Sequence, residues 1–206
     1  MLTAENIVEN FQRAKELCGP QHLADRSAAV TNMLDTLGDR LAMCPGSART
    51  DYHNAFPGGL IEHSIRVLDF AMRWVSVNKD TLTAKPKRAS VTIACLFHDL
   101  GKLGDHEQDY YVKLSRENEW KREKLGQCYD YNNNLLYMTV PQRSLWLLQH
   151  DGVNLTQDEY LAILLNDGQY CPENKPYAMK EPELAIIVHQ ADLLATRLEK
   201  DKSRTT

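Results

Sequence analysis

Apolar positions recur at helical spacing along most of this chain. In residues 3–18, Ile7, Phe11, Ala14 and Leu17 fall on one face behind Thr3, a candidate N-cap, and Gly19-Pro20 stops the pattern. Residues 25–43 repeat it with Val30, Met33, Leu34, Leu37 and Leu41, and Pro45-Gly46-Ser47 ends it. A polar loop over 48–57 leads to Gly58-Gly59. The stripe Leu60, Ile61, Ile65, Leu68, Met72 and Val75 then predicts a helix over 59–78. After the basic turn Lys85-Pro86-Lys87-Arg88, an apolar helix over 88–99 runs into the pair His98-Asp99. Pro141, read as the first helical residue, opens a helix that ends at His150. Thr156 and Glu159 form a capping box for the helix through Leu161 to Leu165, which Asp167-Gly168 closes. The last helix opens at Glu181-Pro182 and carries Leu184, Ile187, Val188, Ala191 and Leu198, with residues 200–206 expected to fray.

Residues 104–133 lack this period. They are polar, charged and aromatic, and Tyr110-Tyr111-Val112 and Cys128-Tyr129-Asp130-Tyr131 are candidate short strands. The pattern predicts an all-α helical bundle with a small irregular or β-hairpin insertion around 105–133. It further predicts one compact domain, in which helices of residues 1–44 pack on a core built by residues 45–200.

Composition narrows this little. The 206 residues are 43% hydrophobic and 25% charged, as in ordinary globular chains, and the net charge of −4 argues against a general electrostatic grip on long nucleic acid. Five cysteines without CxxC spacing indicate a reduced, cytoplasmic chain and no zinc knuckle. No apolar run approaches the ~20 residues of a membrane span, and the N-terminus lacks signal-peptide character.

The chemistry collects on three predicted helices, at His63, His98-Asp99 and Asp192. Each lies in or beside an apolar stretch, where an ionised carboxylate is costly without a partner. A divalent cation would satisfy imidazole and carboxylate together, and this donor set suits Mn, Fe, Zn, Ni or Co, with Mg admissible. Ligands from separate helices fit a site inside a bundle.

With these residues in view, the sequence resembles the HD-domain metal-dependent phosphohydrolases, whose pattern is His, then His-Asp, then a distant Asp. Further stretches look like one branch of that superfamily, which includes HD-type 3′→5′ exoribonucleases and the HD regions of some relaxases. They are Pro45-Gly46-Ser47, Tyr52-His53-Asn54-Ala55, Gly58-Gly59-Leu60-Ile61-Glu62-His63-Ser64 and the closing run Glu183 to Asp192. The resemblance covers about residues 45–200. It implies an HD bundle with His63, His98, Asp99 and Asp192 as ligands of one divalent transition metal. It also implies hydrolysis of a nucleotide phosphoester by metal-activated water. The additional His residues of two-metal members are absent, since the corresponding stretches read Asn134-Leu135-Leu136-Tyr137-Met138 and Asn166-Asp167-Gly168. One metal is therefore implied, or a second one with different ligands, such as Asp167.

Around these ligands, Asp99, Lys102 and His53 are the catalytic candidates, and Lys102, His53, His150 and Asp167 the substrate-binding candidates. Lys102 would clamp phosphate, as the family's Gly-Lys implies, and His53 would bind phosphate or relay a proton. Glu62 is a candidate acceptor for a ligand imidazole. His189, one turn before Asp192, can face the same way. Asp105 and His106 are weaker candidates, and the aromatic and basic segment 110–131 is a candidate lid. A small nucleotide is the favoured substrate. A single-stranded RNA or DNA trimmed from its 3′ end and a nucleotide-binding module without catalysis are the alternatives.

Overall fold

The computed structural model describes residues 2–83 and 85–202, with the side chains of 200–202 left aside. Its helices begin where capping chemistry is available. Thr3 and Asn6 form a capping box at the start of α1 (Ala4–Leu17). Pro20 does more than stop that helix: with φ preset, it opens the single turn α2 (Pro20–Leu23). Helix α3 (Ser27–Met43) is broken at Gly38, whose φ of 39° and ψ of −125° are not helical. Next come α4 (Gly59–Val77) and α5 (Arg88–Phe97).

Residues 104–139 hold the insertion. Strands β1 (Tyr111–Lys113) and β2 (Tyr129–Tyr131) pair antiparallel, Tyr111 opposite Tyr131 and Lys113 opposite Tyr129, with α6 (Trp120–Leu125) between them. Cys128 N–H donates to the Ala48 carbonyl and Thr50 N–H to that of Gly126, tying the insertion to the loop after α3. Helix α7 (Val140–His150) starts one residue earlier than Pro141 suggests, because Thr139 and Gln142 form a capping box. Helix α8 (Gln157–Leu164) carries the expected Thr156–Glu159 box. Helix α9 (Glu183–Lys202) begins just after Pro182 and stays helical to Lys202; the rest of the segment expected to fray, 203–206, lies outside the described residues.

Helix α4 is the central rod, with α9 and α5 packed along it and α1 and α3 against it. One continuous apolar cluster runs through all of them, from Ala14 and Leu34 to Leu68, Ile93, Leu148, Ile163 and Val188. The chain is thus the all-α bundle with a β-hairpin insertion that the pattern predicts. Among the described residues, no helix is long and apolar enough to cross a membrane.

Candidate metal centre

Helix α4 supplies His63, and the Gly pair before it sets the helix start. Gly58 adopts φ 82°, and Gly59 packs so closely that a Cβ would lie 2.1 Å from the Asn54 carbonyl oxygen. Asn54 itself takes φ 48°, and its carbonyl accepts from Gly46 N–H at 2.9 Å. This clasp folds the 48–57 loop over the helix start, so that the His53 ring lies 4.4 Å from the His63 ring.

The His-Asp pair sits where α5 gives way to a 3₁₀ turn over Leu100–Leu103. A carbonyl freed at a helix end needs a donor. The His98 carbonyl receives Ser144 Oγ–H at 2.9 Å and Asn166 Nδ2–H at 3.2 Å. Gly101 N–H donates back to Ser144 Oγ at 2.8 Å. Helix α7 and the end of α8 thereby fix the turn that presents His98 and Asp99. Asp192 comes from the middle of α9, where Thr196 donates to its Oδ1 at 3.3 Å.

These side chains converge. His63 Nε2 lies 3.0 Å from Asp192 Oδ1 and 3.8 Å from Asp99 Oδ2, and His98 Nε2 lies 3.4 Å from Asp99 Oδ2 and 3.8 Å from Asp192 Oδ1. Both Nδ1 atoms are engaged away from the cluster, His63 donating to Glu199 Oε2 and His98 to the Cys95 carbonyl, each at 2.9 Å. That fixes the tautomer and leaves both Nε2 atoms turned to the carboxylates. Both Nε2 atoms are buried and lack a hydrogen bond of acceptable geometry among the described residues. Donors about 2.1 Å from a shared cation stand roughly 3.0–3.4 Å apart at octahedral or tetrahedral angles, close to the separations here. His63, His98 and Asp192 lie close enough together to hold one divalent cation. His53 extends the set, since its ring, His63 and Asp99 also form a group able to hold a metal ion.

The electrostatics agree. Burial pulls the His63 imidazole down, but the Asp192 and Glu199 carboxylates outweigh it and push the pKa up to about 9. Burial raises the Asp192 carboxyl, and His63 and His98 more than offset this, holding it at about 2. Burial likewise opposes ionisation of Asp99, but Lys102 and His98 hold its carboxyl well below the usual range. Without metal His63 keeps its proton beside the carboxylates, and a cation can take that proton's place.

An open cleft of about 420 Å³ leads to this cluster, lined by His53, Asp99, Lys102, Asp167, His189 and Asp192 among others. Lys102 donates to Asp99 Oδ2 and, at 3.2 Å, to His53 Nε2. Burial first, then Lys102 and His63, hold His53 well below its ordinary 6.5, so it remains a neutral acceptor. Asp167 faces the cluster from the end of α8, and burial with the Asp99 and Asp192 charges raises its pKa. His189 Nδ1–H donates to the Asn166 carbonyl at 2.7 Å.

Other expected residues are elsewhere. His150 is a correction: it is exposed at the end of α7, its ring stacked on Trp146 at 5.2 Å, and so does not line the cleft. His106 pairs with Asp151 at 3.2 Å, and the Asp105 side chain caps Glu107 and Gln108 N–H in a local turn. Glu62 accepts from Arg66 and Asn54 and does not bond His63. The acceptor is Glu199, 6% exposed, whose other oxygen lies 3.3 Å from Arg66 Nη1. Sequence reading missed it, although an acid two helical turns after Asp192 lies on the same face. Tyr170, Cys171 and Thr196 also line the cleft without having been singled out.

The HD domain model matches residues 60–197, more than half of the chain. Neither a curated protein nor a solved structure matches. The matched span contains all four converging side chains. The chain therefore belongs to the HD-domain family, in general a family of metal-dependent phosphohydrolases.

Proposed function

We propose that the protein hydrolyses a phosphoester of a small nucleotide, using one divalent cation held by His63, His98, Asp99 and Asp192. The observation that carries this reading is the pair of buried, unbonded Nε2 atoms facing two carboxylates at the foot of a cleft that also holds Lys102. When bound, such a cation supplies Lewis-acid polarisation of a phosphoryl oxygen and acidifies water. The chain's own groups do the rest. Lys102, an ammonium kept charged by Asp99, offers positive charge to the phosphoryl oxygens. His53 stays neutral and can accept a proton or a hydrogen bond. Attack of water at phosphorus forms one P–O bond and breaks the ester P–O bond. The water loses a proton and the leaving oxygen gains one, and Asp167, with its raised pKa, is the carboxylate best suited to carry it.

A small substrate is preferred because the hairpin and α6 do not line the cleft, which removes the support for a strand-holding lid over it. The test is a panel of nucleoside mono-, di- and triphosphates beside labelled RNA and DNA oligonucleotides, each with protein loaded with Mn, Co, Ni, Zn or Mg. Phosphate release from nucleotides is expected. Shortening of oligonucleotides with no nucleotide turnover would sink the proposal in favour of a 3′→5′ exonuclease. No bound metal, together with an Asp99→Ala variant indistinguishable from the parent, would leave a nucleotide-binding module.

A further inference from the structure

Past Tyr170 and His189 the cleft continues into a second hollow of about 470 Å³, and these two residues line both. The chemistry changes across that wall. The first hollow carries the carboxylates, Lys102 and His53. The second is lined by Leu165, Met179 and Ile186, with the amides of Gln169 and Gln190 and the Glu181 carboxylate, and by neither Lys nor Arg. Tyr170 is 78% exposed, Met179 94% and Ile186 44%, so three large apolar side chains stand open to solvent around one concavity. Open apolar clusters of this kind mark recognition surfaces more often than packing.

The polar groups there are pre-set. Gln169 Nε2–H donates to Glu181 Oε1 at 2.8 Å, which leaves the Gln169 carbonyl oxygen as an acceptor. The His189 ring is wedged against Gly168, where a Cβ would come within 2.3 Å of it. With its bond to the Asn166 carbonyl, this holds the His189 side of the dividing wall in place. A phosphate finds no counter-charge in the second hollow, whereas a flat aromatic ring with a polar edge finds an apolar floor and two amides.

We infer that the second hollow is the subsite for the base of the substrate. Tyr170 and Ile186 contact the ring, Gln169 and Gln190 meet its polar edge, and the phosphoester lies toward the metal cluster. This rests on the nucleotide reading above, and it assigns to the 165–190 segment the choice among nucleotides.

Calorimetry on the metal-loaded full chain tests it, with the four ribonucleosides and inorganic phosphate as separate probes. At least one nucleoside should bind saturably without any phosphate, with a Kd of about 1 mM or tighter. Ile186→Glu, at a partly exposed helix position that tolerates charge, should weaken that binding about tenfold or more, and Gln190→Ala less, while phosphate binding persists. Absence of nucleoside binding by the parent, or equal binding by Ile186→Glu with its helical circular dichroism intact, would overturn the inference. The two readings fail separately. Nucleoside binding without turnover of any nucleotide keeps the subsite and removes the phosphohydrolase. Nucleotide turnover with no nucleoside binding and no change of KM in Ile186→Glu keeps the enzyme and removes the subsite.

Discussion

At the scale of single residues, the site depends on which nitrogen of each histidine is occupied. Glu199 holds Nδ1 of His63, and a backbone carbonyl holds Nδ1 of His98. The carboxylate both orients the ring and raises its basicity. Glu199→Ala should therefore lower metal affinity about 10- to 100-fold, with Glu199→Gln intermediate, measured by competition with a chelating dye. A loss of thermal stability with unchanged affinity would reduce Glu199 to a packing role. The same protons make affinity depend on pH. Because His63 in the metal-free protein keeps its proton up to about pH 9, binding below that must release it. Affinity should rise about tenfold per pH unit toward pH 9 and then level off, and more steeply where His98, whose pKa is also raised, still carries its proton, visible as proton release in two buffers of different ionisation enthalpy. Metal-free stability should run the other way. The raised imidazole stabilises fully below its ordinary 6.5 and its contribution is lost through about 9. The depressed Asp192 stabilises above 3.8 and its contribution is lost as pH falls through about 2.

At the scale of elements, helix ends carry the function. Three helices meet at the cluster, but the geometry is set by what caps them. Gly101 shows this most directly. A Cβ there would lie 2.2 Å from the Val140 carbonyl oxygen, which is backbone and cannot swing aside. Gly101→Ala must push α7 away from the His-Asp turn and strain the Ser144 link. The expected cost is about 1–3 kcal/mol, or a fall in Tm of roughly 3–10 °C, with a loss of metal affinity as well. A variant that melts and binds metal like the parent would show that α7 does not support the site.

For the whole molecule, the cation would clamp α4, the end of α5 and α9, which otherwise press the Asp99 and Asp192 carboxylates against two imidazoles. A ligand that binds only the folded state stabilises by mass action. Metal at about 100 times its Kd should add about 2.7 kcal/mol, seen as a rise in Tm of roughly 5–10 °C that a chelator reverses. His98→Ala should abolish most of that rise. If metal leaves the Tm of the parent unchanged, the four residues form a salt-bridge cluster and no metal centre.

The long helices, the caps at Thr3 and Thr156 and the demand of His63, His98, Asp99 and Asp192 for polar partners were legible in the sequence, because these signals are local, whereas the Thr139 cap and the short helices α2 and α6 were not. A 3.6-residue apolar stripe declares its own buried face, and an ionisable residue within that stripe declares that it needs a partner. The hairpin was legible as a break in the period that held two short aromatic segments, around Tyr111 and Tyr129, and these form its strands. What lies opposite a given face is not local. Glu62 and Glu199 both lie near histidine-bearing stripes, yet of the two only Glu199 meets His63, because α9 packs along α4 while Glu62 turns to Arg66. His150 and His189 read alike as histidines on apolar helices, but His189 lines the cleft while His150 is exposed and stacks on Trp146. The sequence by itself determined which residues must find polar partners inside the bundle. The tertiary structure alone decided which partners they find, and which second hollow opens beside them, because burial energy fixes the phase of a helix and not the identity of its neighbour.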